Sequence, residues 1–195
     1  MATIGLDKLY YSKITESANG DETYAAPQVL AKAISVDLAP QIASAILYAD
    51  DGAVENVQEF TSATITLGTA DLARGVMADL LGATVDENGV VVSTAEDTSN
   101  YVAVGFRAKR SDGNYQYMWL YRVKFGVPNK TLATKGDSIT FNTPTIEGTV
   151  IRRNKVDGNG NHPWMAQVVS GATGVDPAVI TGWYTAVYEP DYTAG

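Results

Sequence analysis

A chain of 195 residues, 45 % hydrophobic and 18 % charged, has the composition of a globular protein with enough apolar side chains for a sizeable core, and it fits a single domain over residues 1–195. The complete lack of cysteine excludes disulfides, iron–sulfur clusters, thiolate zinc sites and a cysteine nucleophile. A formal net charge of −8 argues against a surface built to grip duplex nucleic acid, because such affinity comes largely from Lys and Arg neutralising phosphates.

No stretch approaches the roughly 18 uninterrupted apolar residues of a membrane-spanning helix. The opening Met1-Ala2-Thr3-Ile4-Gly5 lacks the basic-then-apolar pattern of a signal peptide, so a protein made and kept in a cytoplasm is expected. Leu6 to Thr15 reads as a first strand, and Ala18-Asn19-Gly20-Asp21 as a turn, since Asn and Gly tolerate positive φ. A second extended stretch covers Val29 to Leu38. Pro40 interrupts it, and Gln41 to Ala49 resumes with Ile42, Ile46 and Tyr48 on one face. Asp50-Asp51-Gly52 is a hairpin turn into Val54 to Leu67, where Thr61, Ala63, Ile65 and Leu67 share a face. The stretch Val54 to Phe60 is polar on both faces, with Glu55, Asn56, Gln58 and Glu59. It suits either a wall turned to a wet channel or a hairpin end projecting into bulk water.

Asp71 to Leu81 is the clearest helix. Leu72, Val76 and Leu80, with Met77 beside them, fall on one stripe that should pack on a sheet, Asp71 suits the first turn, and Gly82 follows as a stop. Tyr101 to Arg110 and Tyr115 to Phe125 flank Ser111-Asp112-Gly113-Asn114, predicting one long hairpin with Val102, Val104, Phe106 and Ala108 inward. Alternation places Tyr115, Tyr117, Trp119, Tyr121, Val123 and Phe125 on one face of the second arm. That arm spans about 37 Å at roughly 3.4 Å per residue, about twice the common strand length. Ser138 to Arg153 holds two more strands broken near Pro144. Asp157-Gly158-Asn159-Gly160-Asn161 is a loop, Trp164 to Val169 a short strand, and Asp176 to Val187 a last short helix.

Acidic residues dominate the first hundred positions. Arg107, Lys109, Arg110, Arg122, Lys124, Lys130, Lys135, Arg152, Arg153 and Lys155 lie later. The asymmetry fits two solvated surfaces, or head-to-tail association of faces of opposite sign.

No catalytic constellation is legible. His162 is the only histidine, no serine sits in a Gly-x-Ser-x-Gly elbow, and one histidine cannot make a multi-histidine metal site. The Asp157 loop starts like a calcium loop but has His162 where Gly is needed and Val168 where the bidentate Glu should be. The paired carboxylates Asp50 and Asp51 could in principle serve acid–base work, as could Glu147, but the spacing such work needs is a property of the folded site and Asp-Asp-Gly is first a turn; no phosphate-binding or dinucleotide glycine motif is present. The chain is therefore expected to be no enzyme, with no cofactor and no metal. Tyr115, Tyr117, Trp119 and Tyr121 could make a sugar-binding platform if exposed. Their alternation with Met118 and Leu120 favours a strand buried on both sides.

Several segments together resemble a known family. They are Gly5-Leu6-Asp7-Lys8-Leu9-Tyr10-Tyr11, Trp119 to Gly126, Leu132 to Phe141, Pro144 to Thr149, and the terminal Gly182-Trp183-Tyr184 with Tyr188-Glu189-Pro190. In order and over essentially the whole chain, they resemble the major tail proteins of long-tailed, non-contractile bacteriophages. The resemblance implies a mainly β fold, an antiparallel β-sandwich or ring-forming barrel sheet with one flanking helix and a short C-terminal helix. It implies stacked hexameric rings forming the tail tube that carries the genome, assembled in the host cytoplasm and resident in the virion tail. Implied partners are other copies of the chain, a tape measure protein, a tail terminator and distal tail proteins, with DNA passing unbound. No catalytic residue is carried over.

Six copies at −8 each would give a ring a formal charge of about −48, and an acidic lumen would repel a duplex carrying about one charge per 1.7 Å. Asp37, Glu55 and Glu59 are the lumen-facing candidates. Contacts between neighbours in a ring are expected to pair sheet edges, and the polar stretches Gly20 to Gln28 and Gly82 to Asn100 to reach between rings. The competing reading is a β-sandwich module that binds carbohydrate or a host-surface ligand.

Overall fold

A computed structural model describes residues 2–18, 20–49, 52–129 and 143–192. Strands hold 53 % of the described residues and helices 8 %, which makes the fold mainly β. The strands are β1 (Thr3–Glu16), β2 (Glu22–Tyr24), β3 (Gln28–Ala31), β4 (Ala33–Ala49), β5 (Gly52–Thr69), β6 (Thr84–Val85), β7 (Val91–Val92), β8 (Tyr101–Arg110), β9 (Tyr115–Phe125), β10 (Thr145–Ile151) and β11 (Met165–Val169). The helices are α1 (Arg74–Leu81), between β5 and β6, and α2 (Pro177–Gly182).

Every pairing is antiparallel. The main sheet runs β2-β1-β8-β9-β10-β5-β4, with β3 added to β1 and β11 to β9. It curls until the start of β4 passes near β1, but the two do not pair and no closed barrel forms among the described residues. The architecture is that of a β-sandwich with a flanking helix.

The main core lies inside the curl. Leu9, Tyr11, Ala63, Ile65, Leu67, Val102, Val104, Phe106, Leu120, Val123, Phe125, Ile146 and Val150 are buried together. Val76 and Leu80 of α1, with Leu72 ahead of its first turn, cap them. The helix itself is shorter than expected. Asp71 accepts a hydrogen bond from the Leu72 amide at 2.8 Å and Ala73 is extended, so the first turn begins at Arg74. At the other end Gly82 adopts φ +72° and donates to Ala78 O, where a Cβ would collide with the Thr98 carbonyl.

A second apolar layer lies on the opposite face of β8, β9 and β11. Here Tyr117, Trp119 and Tyr121 are covered by Trp183, Tyr184, Val187 and Tyr188 of the C-terminal segment. Trp119 donates from its indole to Trp183 O at 3.0 Å, and the Tyr121 hydroxyl donates to Tyr188 O at 2.9 Å.

The expectation that Tyr115 to Phe125 keeps one face is corrected. Val102 pairs with Val123 and Val104 with Leu120, leaving two β9 residues opposite Ala103. This bulge turns Val123 and Phe125 into the main core with Leu120, while Tyr117, Trp119 and Tyr121 stay on the C-terminal side. Tyr115 is half-buried, and the other four residues of this core strand, Tyr117, Trp119, Tyr121 and Phe125, are buried.

Other boundaries also move. The stretch Val29 to Leu38 divides at Lys32, because β3 pairs with β1 while β4 pairs with β5. Pro40 lies within β4, which as an edge strand tolerates a missing donor. The last helix ends at Gly182, capped at its start by Asp176, and the chain to Val187 is not helical. Of the two strands expected in Ser138 to Arg153 one is β10, and residues 138–142 lie outside the described residues. So do Asn19, Asp50, Asp51, Lys130 and Lys135.

Candidate functional site

The feature that sets this fold apart is the β4–β5 hairpin. Its ladder runs from the Ala33–Thr69 pair to the Ala49–Gly52 pair, about 54 Å at roughly 3.4 Å per residue. Only its inner half is covered. In antiparallel strands directly paired residues share a face. Val36, Leu38 and Pro40 therefore join Leu67, Ile65 and Ala63 on the core side, and Ile42 follows, paired with Phe60. Phe60 stacks on Trp164, with ring centroids 4.4 Å apart and planes at 10°, and this is the last support the body gives.

Beyond it the core-side stripe continues uncovered. Ile42, Ile46 and Tyr48 are 60 %, 49 % and 69 % exposed. On the other face Leu47 and Val57 are also exposed, so the outer hairpin is an arm with apolar residues on both sides. A two-stranded ribbon without a third strand is marginal in water.

The three acidic candidates fall on one face of this hairpin. Asp37 pairs with Thr66, Glu59 with Ala43 and Glu55 with Leu47, all on the side away from the core stripe. All three are exposed, and none belongs to an ion pair among the described residues. Alternation predicted Ile42, Ile46 and Tyr48 on one face correctly. Thr61, expected to share the buried face of Ala63, Ile65 and Leu67, is exposed instead. Gln41 pairs with Ser62 and Ile42 with Phe60, so Thr61 is the extra residue of a bulge. Two further extra residues, Ile34 and Val54, mark bulges near the base and near the tip.

The uneven charge is partly absorbed inside the chain. Asp7 holds Arg107 through two 2.7 Å contacts. Arg122 bonds Glu22 and lies 2.5 Å from Glu16, with its guanidinium stacked on Tyr101. Glu189 binds Arg153 at 2.7 Å and Lys155 at 3.0 Å. The stretch Gly20 to Gln28, expected as a free polar loop, is therefore partly built into the body: β2 pairs with β1, and the Glu22 carboxylate is fully buried. Nothing local in sequence separates Glu22 from its exposed neighbours. Its partner lies 100 residues away. The stretch Gly82 to Asn100 carries the small β6–β7 hairpin and is mostly exposed.

Two of the side chains considered for chemistry, Asp157 and His162, make local backbone contacts. Asp157 accepts from the Asn159 and Asn161 amides at 3.0 and 2.8 Å, an ordinary Asx turn. His162 Nδ1 contacts Arg153 O at 3.0 Å. No cluster of three or more His, Asp or Glu side chains able to hold a metal occurs among the described residues. Trp119 and Tyr121 are buried beneath the C-terminal segment, so the aromatic run does not form an open sugar platform. No described helix is long and apolar enough to cross a membrane. The sequence matches no family model and no curated protein.

Proposed function

We propose that this chain is a structural subunit that assembles with copies of itself through the β4–β5 arm, as the tube-forming protein of a long non-contractile phage tail. The uncovered arm carries this reading. A ribbon of this length that exposes Ile42, Ile46, Leu47, Tyr48, Val54 and Val57 leaves an apolar surface and a sheet edge for a partner to cover. In a ring of six copies the core-side stripe of each arm packs on its neighbour. The opposite face, with Asp37, Glu55 and Glu59, turns to the lumen and keeps passing DNA off the wall. Rings stack, and the tape measure, terminator and distal tail proteins of the resembling family are the further partners. The segment similarity noted in the sequence supports the same assignment.

Electron microscopy of the purified protein at rising concentration tests it, with rings or tubes expected. Ile42→Asp with Ile46→Asp abolishes them while leaving the fold intact, because both side chains lie beyond the core. A wild-type particle that stays a monodisperse 20.7 kDa species at every concentration overturns the reading.

A further inference from the structure

We infer that Thr61 is an angle-setting residue, whose insertion into β5 fixes the direction in which the arm leaves the body. The register shows how. Ser62 pairs with Gln41 and Phe60 with Ile42, so removing Thr61 would leave every cross-strand pair on both sides of it unchanged. It would also leave each pair on its present face, since Gln41 and Ile42 are already consecutive. Thr61 is thus dispensable for register and for facing. What an extra residue adds is a bend and a stronger local twist.

Its position matches that role. The bulge lies opposite the Gln41–Ile42 step, one pair beyond Pro40, and it coincides with the boundary between the covered and uncovered halves of the hairpin. Inside it Ala63, Ile65 and Leu67 are fully buried, and just outside it the Phe60–Trp164 stack ends the support. The tip lies about 27 Å beyond the bulge at roughly 3.4 Å per residue, so a small change at Thr61 becomes a large one at Ala49. Resting on the assembly reading above, the consequence is that Thr61 sets ring curvature. A head-to-tail contact closes only when the rotation between copies is right, and the arm's direction is what carries that rotation.

The test uses the absence of native cysteine. Spin labels at Val54→Cys on the arm and Lys109→Cys on β8 report the arm's angle in the subunit. Deleting Thr61 is expected to shift the main distance, because residue 54 lies about 22 Å beyond the bulge at roughly 3.4 Å per residue and each degree of change in the arm's direction displaces it by about 0.4 Å. Thr61→Val, which keeps the bulge, leaves it unmoved. A second variant deletes Thr61 and inserts a threonine between Val57 and Gln58. It keeps the hairpin length, moves the bend outward and also shifts the distance. In assembled material both bulge variants give rings of altered diameter or open filaments. A folded bulge variant with the wild-type distance, or rings of wild-type diameter and subunit number, overturns the inference. If the wild type itself forms no rings, the assembly reading fails, and the label distances alone decide the role of Thr61.

Discussion

The six-membered ring of Trp119 packs directly on Gly105, its cross-strand partner, where an added Cβ would sit 2.7 Å from the nearest ring atom. Side chains on this face of β8 are limited to what the indole leaves. Gly105→Ala is therefore expected to destabilise the fold by about 1–3 kcal/mol through overpacking. Denaturant titration checks this, and an unchanged midpoint would show that the indole yields freely.

The buried Glu22 carboxylate neutralises Arg122 and accepts from the Asn154 amide at 3.1 Å. Removing one partner of a buried pair leaves an uncompensated charge. Glu22→Leu should destabilise by about 3 kcal/mol, the low end for such a loss because Glu16 still reaches the guanidinium. Glu22→Leu with Arg122→Met should recover much of it. With Arg122→Met as the other single variant, a double variant whose loss equals the sum of the two single losses would exclude coupling.

Burial pushes the hydroxyls of Tyr11, Tyr24, Tyr121 and Tyr184 well above the ordinary tyrosine value of 10.0, and for Tyr11 the hydrogen-bonded Asp79 adds to it. A group that keeps its proton longer when folded contributes stability that is complete below its unfolded pKa and is lost as pH rises toward the folded one. Stability is thus expected to fall above about pH 10, with the phenolates of these four buried tyrosines forming only as the tertiary signal collapses. Tyr184→Phe should flatten that slope, and because the Tyr184 hydroxyl has no hydrogen-bond partner among the described residues it should do so with little loss at neutral pH. Ionisation of all 11 tyrosines in a still-folded protein near pH 10 would contradict this.

Glu55→Lys with Glu59→Lys reverses the charge on the arm's outer face without touching the core. Tubes should form as before, yet retain DNA or release it slowly, and the retention should weaken with salt as phosphate contacts do. Release kinetics measured from reconstituted tubes decide it, and wild-type kinetics would remove these carboxylates from the lumen.

Local rules read much of this fold. The β8–β9 hairpin was legible to the residue because Ser111-Asp112-Gly113-Asn114 states its turn, with Gly113 at φ +85° between two alternating runs. The α1 stripe and the Gly82 stop were legible for the same reason. Bulges were not, since an extra residue such as Thr61, or the one opposite Ala103, leaves composition unchanged and shows only when the partner strand is counted against it. Burial of Glu22 was equally hidden, because its cause is a cation a hundred residues on. In the arm, the spacing of Ile42, Ile46 and Tyr48 revealed a face. Only the three-dimensional arrangement reveals that nothing among the described residues covers it.

That bare stripe has a cost before any neighbour arrives. A long, greasy ribbon with an open margin is a template for indiscriminate fibril growth. Glu55 and Glu59, planted on its reverse side, act as gatekeepers: two arms laid back to back would oppose like charges, so one mode of stacking is closed while the apolar side stays open. The same carboxylates thus disfavour one mode of clumping by the free molecule.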